Sequence, residues 1–386
     1  MTLRDEHPIV GAKSGGPRAS EQRSIMLPLG VAGIGFVATL LHVSSDPRRA
    51  MFAWAFAFAF AFSTTLAALI LVMILDVTGA TWSLALRPMM AGVAATTPVL
   101  IVLFVPILVG LRLLYPWAED LDRFEPEMRA VLAHQRSWNN PGFFTVRSAL
   151  YLGLWALLGT TVRSSKRWSA VGLPLLALSI TFASYDWLMS LEAGWVSTIF
   201  GLYVFASGFV SATGLFALLA WRGRSWGVVP DGVGPAHFHA LGRLMLTAVL
   251  FWAYIAFFQL LLIWIANLPR EVGFYLRRSQ GSFAVVSALL VVGHFALPLL
   301  ALLSRSLKRS PPALAMVGAW LFVFAPLDFA WLVLPARTTR LLPLDVGPSV
   351  AVTGLAFAYG SWRFVVHART AALDPKIAES LRYESP

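Results

Sequence analysis

The chain has 386 residues, of which 58% are hydrophobic and only 13% are charged, and its mean hydropathy is +0.72. Soluble domains carry about 25% charged residues, so this composition excludes an ordinary soluble protein and predicts an all-α polytopic membrane protein. The chain contains no cysteine, which excludes disulfides, thiolate-bound iron–sulfur clusters and a cysteine nucleophile. The formal net charge of +11 comes from basic residues between apolar runs, where they orient helices. We therefore expect no nucleic-acid partner.

About ten apolar windows of the length that a hydrocarbon core requires follow one another along the chain. They are Ile25–His42, Ala50–Leu75, Met89–Leu114, Thr145–Val162, Trp168–Ser190, Val196–Trp221, His237–Ala266, Ser282–Leu303, Ala313–Pro335 and Ser349–Arg369. These windows predict a transmembrane domain over residues 25–369, between an N-terminal arm (1–24) and a C-terminal tail (370–386). Short loops that are almost purely basic stay in the cytoplasm, so both termini are predicted to be cytoplasmic.

The second window is rich in aromatic residues. Its side chains Trp54, Phe56, Phe58, Phe60 and Phe62 lie on more than one face of a helix. We expect such a helix to contact lipid or another membrane subunit.

A weak internal repeat connects the fifth and ninth windows. The fifth ends ASYDWLMSL and the ninth ends APLDFAWLVLP, so Asp186 and Asp328 lie at similar depth, and Trp187 or Trp331 follows each closely. This spacing predicts two related four-helix bundles, at about residues 50–190 and 196–335, with two peripheral helices. Transporters and redox membrane subunits are both built from such repeats.

Several ionisable residues fall within or beside the apolar windows, where a charge is costly unless it is paired, hydrated or protonated. The candidates are Asp76, Asp186, Glu192, His294 and Asp328. One interpretation is a proton path, running from Asp76 through His294 to the three carboxylates on the other side of the membrane. The alternative is structural pairing, with hydroxyl or indole groups on neighbouring helices as the partners. The residues alone leave both interpretations open.

The positions of the histidines indicate whether this chain could bind haem. A b-type haem held between two helices needs two histidines at matching depth. Only His294 is central, while His42 and His367 lie near opposite faces. The sequence also lacks phosphate-binding loops, a hydrolase nucleophile elbow and an HExxH zinc motif. We therefore expect no catalytic residue, no metal and no redox centre in this chain.

Four segments together resemble a known family. They are FASYDWLMSLEAGWVSTIFGLYVFASG (Phe182–Gly208), WNNPGFFTVR (Trp138–Arg147), LMLTAVLFWAYIAFFQLLLIWIANLPREVGFY (Leu244–Tyr275) and GHFALPLLALLSR (Gly293–Arg305). They resemble the ActF subunit of bacterial alternative complex III, which belongs with the NrfD-like and polysulfide-reductase membrane subunits. The similarity covers most of Arg112–Pro335.

The resemblance implies a ten-helix, non-catalytic subunit of the bacterial inner membrane. Its complex oxidises quinol and passes electrons to cytochrome c or another acceptor. Haem c and iron–sulfur clusters would lie in partner subunits, namely a multihaem cytochrome c and an iron–sulfur protein, beside an ActC-like membrane subunit. For this chain the resemblance implies proton conduction or scaffolding, and it leaves quinone or lipid binding open. Family members commonly have an aspartate at the position of Ala240, so a relay carried over from them lacks that carboxylate here.

A second class of protein competes with this interpretation. Secondary transporters and proton channels that act alone also contain buried carboxylates and repeats. They usually have broken helices at matched positions, whereas Pro98 and Pro106 in the third window have no counterpart in the seventh. The pattern favours the respiratory subunit.

Overall fold

A computed structural model describes residues 19–161, 165–226, 229–371 and 377–384. The predicted N-terminal arm therefore lies outside the described residues as far as residue 18, and the predicted tail is described only in part. Within these ranges the chain folds into helices without any β-strand. The all-α class is confirmed, while the sides on which the termini lie stay a prediction.

Nine helical segments of the described chain are long and apolar enough to cross a membrane. They are Met26–Ser45, Pro47–Thr78, Arg87–Val109, Pro141–Thr161, Lys166–Leu191, Phe200–Ser225, Pro235–Ala266, Gly281–Leu303 and Pro311–Ala336. A further helix of 25 residues, Gly347–Ala371, follows them. The polytopic membrane fold expected from composition is confirmed.

The α-helices are numbered in chain order. They are α1 (Ala19–Ser45), α2 (Pro47–Thr78), α3 (Arg87–Ala94), α4 (Val99–Val109), α5 (Leu111–Leu114), α6 (Pro126–Gln135), α7 (Pro141–Thr161), α8 (Lys166–Trp187), α9 (Phe200–Ser225), α10 (Pro235–Ala266), α11 (Pro269–Arg278), α12 (Gly281–Leu289), α13 (Leu297–Leu303), α14 (Arg305–Arg309), α15 (Pro311–Val333), α16 (Gly347–Ala371) and α17 (Ile377–Leu381). Consecutive spans alternate in direction, so the helices share two ends. The Asp186 end contains the last residues of α8 and α15, and the Asp76 end contains the last residues of α2.

The spans from the second to the ninth form two groups of four, which meet where α9 and α15 pack against α2. The first contains α2, α3 with α4, α7 and α8, and the second contains α9, α10, α12 with α13, and α15. Helices α1 and α16 pack along each other and against α2. The groups meet closely because Gly208 on α9 has no side chain, and a Cβ there would collide with the backbone carbonyl of Ser63 on α2. Small residues allow such close approach of helices within membranes.

The aromatic residues of α2 face the interior of the protein. Trp54, Phe56, Phe58, Phe60 and Phe62 are all at most 5% exposed. The expectation that they contact lipid or another subunit is therefore wrong. A helix that is apolar on every side has the same composition whether lipid or protein surrounds it, and here α1, α8, α9, α15 and α16 surround α2.

Two spans depart from regular α-helix. The third is interrupted between α3 and α4 at residues 95–98, because Pro98 has no N–H and disfavours helical geometry in the residue before it. The eighth contains a π-helical segment, Leu290–Ala296, between α12 and α13. It lies just before Pro298, whose ring crowds the carbonyl four residues earlier, so a wider turn relieves the clash. The seventh span, α10, is continuous.

Candidate functional site

Asp186 lies at the last turn of α8 and is almost completely buried. Its carboxylate accepts four hydrogen bonds: from Arg147 Nε (2.8 Å) and Nη2 (2.9 Å), Trp138 Nε1 (2.8 Å) and Tyr151 Oη (3.0 Å). Arg147 and Tyr151 share one face of α7, four residues apart, and α7 runs antiparallel to α8. The Arg147 contacts form a two-point ion pair, the strongest neutralising geometry for a carboxylate.

The guanidinium of Arg147 is enclosed by aromatic rings. Its central carbon lies 4.2 Å from the ring centre of Trp138 and 4.3 Å from that of Phe143. Its Nη1 also donates to the Trp138 carbonyl at 3.0 Å. Burying either charge here without the other would cost several kcal/mol. Arg147 and Asp186 therefore stabilise the fold only as a pair. Arg147 falls inside the predicted fourth window, and an arginine in such a window is itself a signal for a buried partner.

Trp187 and Trp331 make similar contacts in the two groups of helices, while the repeat itself stays a prediction. Trp187 Nε1 donates to Ser148 Oγ at 2.9 Å, from the fifth span to the fourth. Trp331 Nε1 donates to Ser287 Oγ at 2.7 Å, from the ninth span to the eighth. In both groups an indole thus donates to a serine on the preceding span, one residue after Asp186 in the first group and three residues after Asp328 in the second.

Asp328 has different partners from Asp186. Its fully buried carboxylate accepts from Tyr203 Oη (2.8 Å), Ser207 Oγ (2.6 Å) and Trp252 Nε1 (2.9 Å). Among the residues that the structure describes, no lysine or arginine forms an ion pair with it. Three neutral donors therefore surround Asp328, and it can take up a proton without leaving a cation unpaired.

His294 lies in the π-helical segment and is fully buried. Its ring packs edge-on against Trp252, with centroids 4.7 Å apart and an interplanar angle of 82°. Neither ring nitrogen has a hydrogen-bond partner within the described chain. Trp252 contacts His294 with its ring and Asp328 with its N–H, so these two predicted site residues share one neighbour.

Glu192 follows α8 and forms ion pairs with Arg277 and Arg278. Arg278 is 1% exposed; its Nη2 lies 2.8 Å from Glu192 Oε1, and its other N–H groups donate to the carbonyls of Phe274, Trp331 and Leu332. Burial lowers the pKa of Arg278 to about 10, while Glu192 opposes that shift. Arg278 therefore stays cationic at neutral pH and holds Glu192 as its counter-ion.

Asp76 lies at the opposite end of the bundle from the other predicted carboxylates. It forms an ion pair with Arg87 of α3 and accepts a hydrogen bond from Ser169 Oγ of α8 at 3.1 Å. The structure thus divides the residues of the predicted proton path into two kinds. Asp76, Asp186 and Glu192 each contact an arginine, whereas Asp328 and His294 have no charged partner in the described chain.

A fourth buried carboxylate, Asp345, was not predicted from the sequence. Arg49 Nε and Nη2 lie 2.9 and 2.7 Å from its two oxygens, and Leu342 N donates to it at 2.7 Å. His42 Nε2 lies 3.5 Å from Asp345 Oδ1. Asp345 stands in a loop between two windows, where a carboxylate usually faces water. Only the fold brings that loop against the first turn of α2.

Two neighbouring cavities lie at the Asp186 end. The Asp186 cavity, of about 90 Å³, is lined by residues including Asp186, Glu192, Trp138 and Ser190. The Gln259 cavity, of about 340 Å³, is lined by Gln259 and Leu262 of α10 and by the loop between α8 and α9. Tyr185, Met189 and Val196 line both. The second cavity has the volume of a small-molecule site.

Neither models of protein families nor curated proteins match this chain. Within the described ranges, no group of three or more His, Asp or Glu side chains is arranged to hold a metal ion. The site must therefore be interpreted from its own geometry. It comprises four arginine-bound carboxylates (Asp76, Asp186, Glu192 and Asp345), one carboxyl held by neutral donors beside a histidine that has no hydrogen bond within the described chain, and an amphipathic cavity.

Proposed function

We propose that this chain is an integral membrane subunit of a quinol-oxidising respiratory complex, which passes electrons to cytochrome c or another acceptor. In this proposal it serves as a scaffold and handles protons at Asp328, while the redox centres belong to partner subunits. The segments that resemble ActF proteins support the class of complex. The observation that carries the proton role is the neutral environment of Asp328, which is fully buried.

The contacts of the other carboxylates support a scaffold role for them. Each of Asp76, Asp186 and Glu192 is bound to arginine. Protonating Asp186 or Glu192 would leave a buried guanidinium, of Arg147 or Arg278, without its counter-ion, which costs several kcal/mol. Their ion pairs instead join helices: α2 to α3, α7 to α8, and the loop after α8 to α11. A rigid frame of this kind is suited to hold partner subunits in register.

A secondary transporter or proton channel remains the second candidate. The interrupted third span and the π-helical segment favour it, because irregular backbone inside a membrane is common in transporters. The continuous α10, which occupies the place of the third span in the second group, weighs against it. Two related groups with matched broken helices would be the expected transporter pattern.

Affinity purification from native membranes tests the complex. The tagged chain, extracted in mild detergent, should bring down haem-containing and iron–sulfur partners, detected by haem absorbance and iron content. The control is the same tag on an unrelated polytopic protein from those membranes. Recovery of a stable, solitary protein that catalyses solute or proton flux in liposomes would contradict the respiratory proposal and support the second candidate.

A further inference from the structure

The Gln259 cavity opens toward the membrane. Leu262 and Val196, which line it, are 55% and 53% exposed, and both are apolar. They lie at the last turns of α10 and in the loop between α8 and α9, near one end of the spans. A molecule dissolved in the lipid can therefore reach the cavity from the side, with its head near the interface.

Gln259 gives the interior of this cavity a polar group. It is 1% exposed, accepts from Ser197 Oγ at 3.1 Å, and donates to Tyr275 Oη at 3.4 Å. A carboxamide has two N–H donors and two acceptor lone pairs. These contacts use one of each, so one donor and one acceptor remain for a ligand. Buried amides are costly when their capacity is unused.

The charges of the residues that line the Gln259 cavity indicate which class of ligand it can bind. Among the residues lining the cavity, Glu271 is acidic and none is lysine or arginine. The nearby Arg270 donates to the carbonyl of Gly194. Burial raises the pKa of Tyr275 to about 12, so its phenol is neutral. A phosphate head would meet a carboxylate and no cation, whereas a carbonyl or hydroxyl head matches the free capacity of Gln259.

We propose that the Gln259 cavity binds a neutral, lipid-soluble molecule with a carbonyl or hydroxyl head. The head forms a hydrogen bond with the carboxamide of Gln259, and the tail extends past Leu262 into the lipid. A quinone or quinol has this chemistry, as does a neutral glyceride. The choice of quinone rests on the proposed function; the neutral head and the side entrance do not.

Photolabelling of the full-length chain in phosphatidylcholine nanodiscs tests this site. The probe is an azido-substituted ubiquinone with a decyl tail, and cross-linked peptides are identified by mass spectrometry. We expect saturable labelling of peptides containing Met189 or Leu262, which excess decylubiquinone removes. Gln259→Met keeps the side-chain length without the amide, and should lower labelling about three- to tenfold at subsaturating probe, as expected for one or two neutral hydrogen bonds. Gln280→Met, outside the cavity, should leave labelling unchanged.

Competing unlabelled ligands distinguish a quinone from a lipid as the molecule that supplies the head group. Removal of label by dioleoylglycerol but not by decylubiquinone would overturn the quinone and support a neutral lipid. Removal by phosphatidylglycerol would overturn the neutral head, and unsaturable label along all lipid-facing helices would overturn the site. If Gln259→Met does not fold, Gln259→Asn retains an amide but withdraws it by one methylene, and should also weaken labelling. The assay needs no partner subunit, so its failure is distinct from a failure to recover the complex.

Discussion

Arg147 and Asp186 form a buried two-point ion pair between antiparallel helices, whereas Asp328, which the predicted repeat matches to Asp186, has no such cation among the described residues. The two carboxylates that the predicted repeat relates thus have different electrostatic surroundings. The first is suited to hold helices together, and the second is suited to change its protonation state. This asymmetry leads to separate predictions for the two residues.

Asp186→Leu should destabilise the protein by about 3–5 kcal/mol, because it leaves the buried Arg147 unpaired. Thermal unfolding in detergent should therefore begin at a markedly lower temperature. The exposed pair of Asp122 and Arg129, 3.6 Å apart, provides the control, and Asp122→Leu should change stability by about 0–1 kcal/mol. Replacing Arg147 by Met together with Asp186→Leu should be less damaging than Asp186→Leu alone. Equal melting of all these variants would show that the ion pair contributes no stability.

Asp328→Asn should leave assembly intact and slow quinol-driven proton release by the complex. The amide oxygen can accept from Ser207 and Trp252, and the Tyr203 hydroxyl can rotate to accept from the amide nitrogen. The variant cannot ionise, so we expect about a tenfold or greater loss of the rate of proton release, as is typical when a positioned proton-transfer group is removed. Proton release from proteoliposomes, measured with an external pH dye, checks this. Wild-type proton yield and turnover would exclude Asp328 from the path.

His294→Phe separates a proton role from a structural role. The histidine is fully buried and has no hydrogen bond to any residue that the structure describes, so an aromatic hydrocarbon of similar size should keep stability or raise it by about 1–3 kcal/mol. If the ring carries protons, release should nevertheless fall. A more stable protein with unchanged proton release would restrict His294 to packing.

Gly208→Ala should destabilise the contact between the two groups of helices, because the added Cβ meets the backbone carbonyl of Ser63, which cannot rotate away. We expect a loss of about 1–3 kcal/mol, as for overpacking in a core. Gly153→Ala is the matched control, since nothing lies within 4 Å of its added Cβ, and there alanine should stabilise the helix by about 0.5–1 kcal/mol. Thermal unfolding of both variants in one detergent compares them; similar melting would argue against a tight contact at Gly208.

Single cysteines test the predicted topology, because the chain has none of its own. Ser279 follows α11 at the Asp186 end, and Ser165 precedes α8 at the Asp76 end; both are exposed. If the basic loops are cytoplasmic, an impermeant thiol reagent on intact cells should label Ser279→Cys and spare Ser165→Cys. The reverse pattern would place the carboxylate clusters on the cytoplasmic side. Labelling of both variants after lysis confirms that each thiol is reactive.

The amino-acid sequence was sufficient to predict the all-α membrane class and the approximate bounds of the spans. Hydrocarbon thickness sets a minimum length for an apolar helix, so windows such as Ala50–Leu75 lie inside the observed helices. It was also sufficient for the positions of Asp186 and Asp328, because a charge in an apolar run stands out against its neighbours. The backbone irregularities were harder to predict from the sequence. Pro98 marks the interruption of the third span, but no single residue type specifies a π-helical turn at His294.

By itself, the amino-acid sequence determined that this chain is helical and polytopic, and which ionisable groups fall within or beside its apolar runs. These properties depend on local composition and on the cost of moving polar groups from water. Only the tertiary structure decided which carboxylates are paired, because Arg147 is distant in sequence from Asp186, and Asp345 is more distant still from Arg49. It also decided that the aromatic face of α2 is interior, since an apolar side chain gains similarly from lipid and from protein, and its neighbours are set by how helices pack.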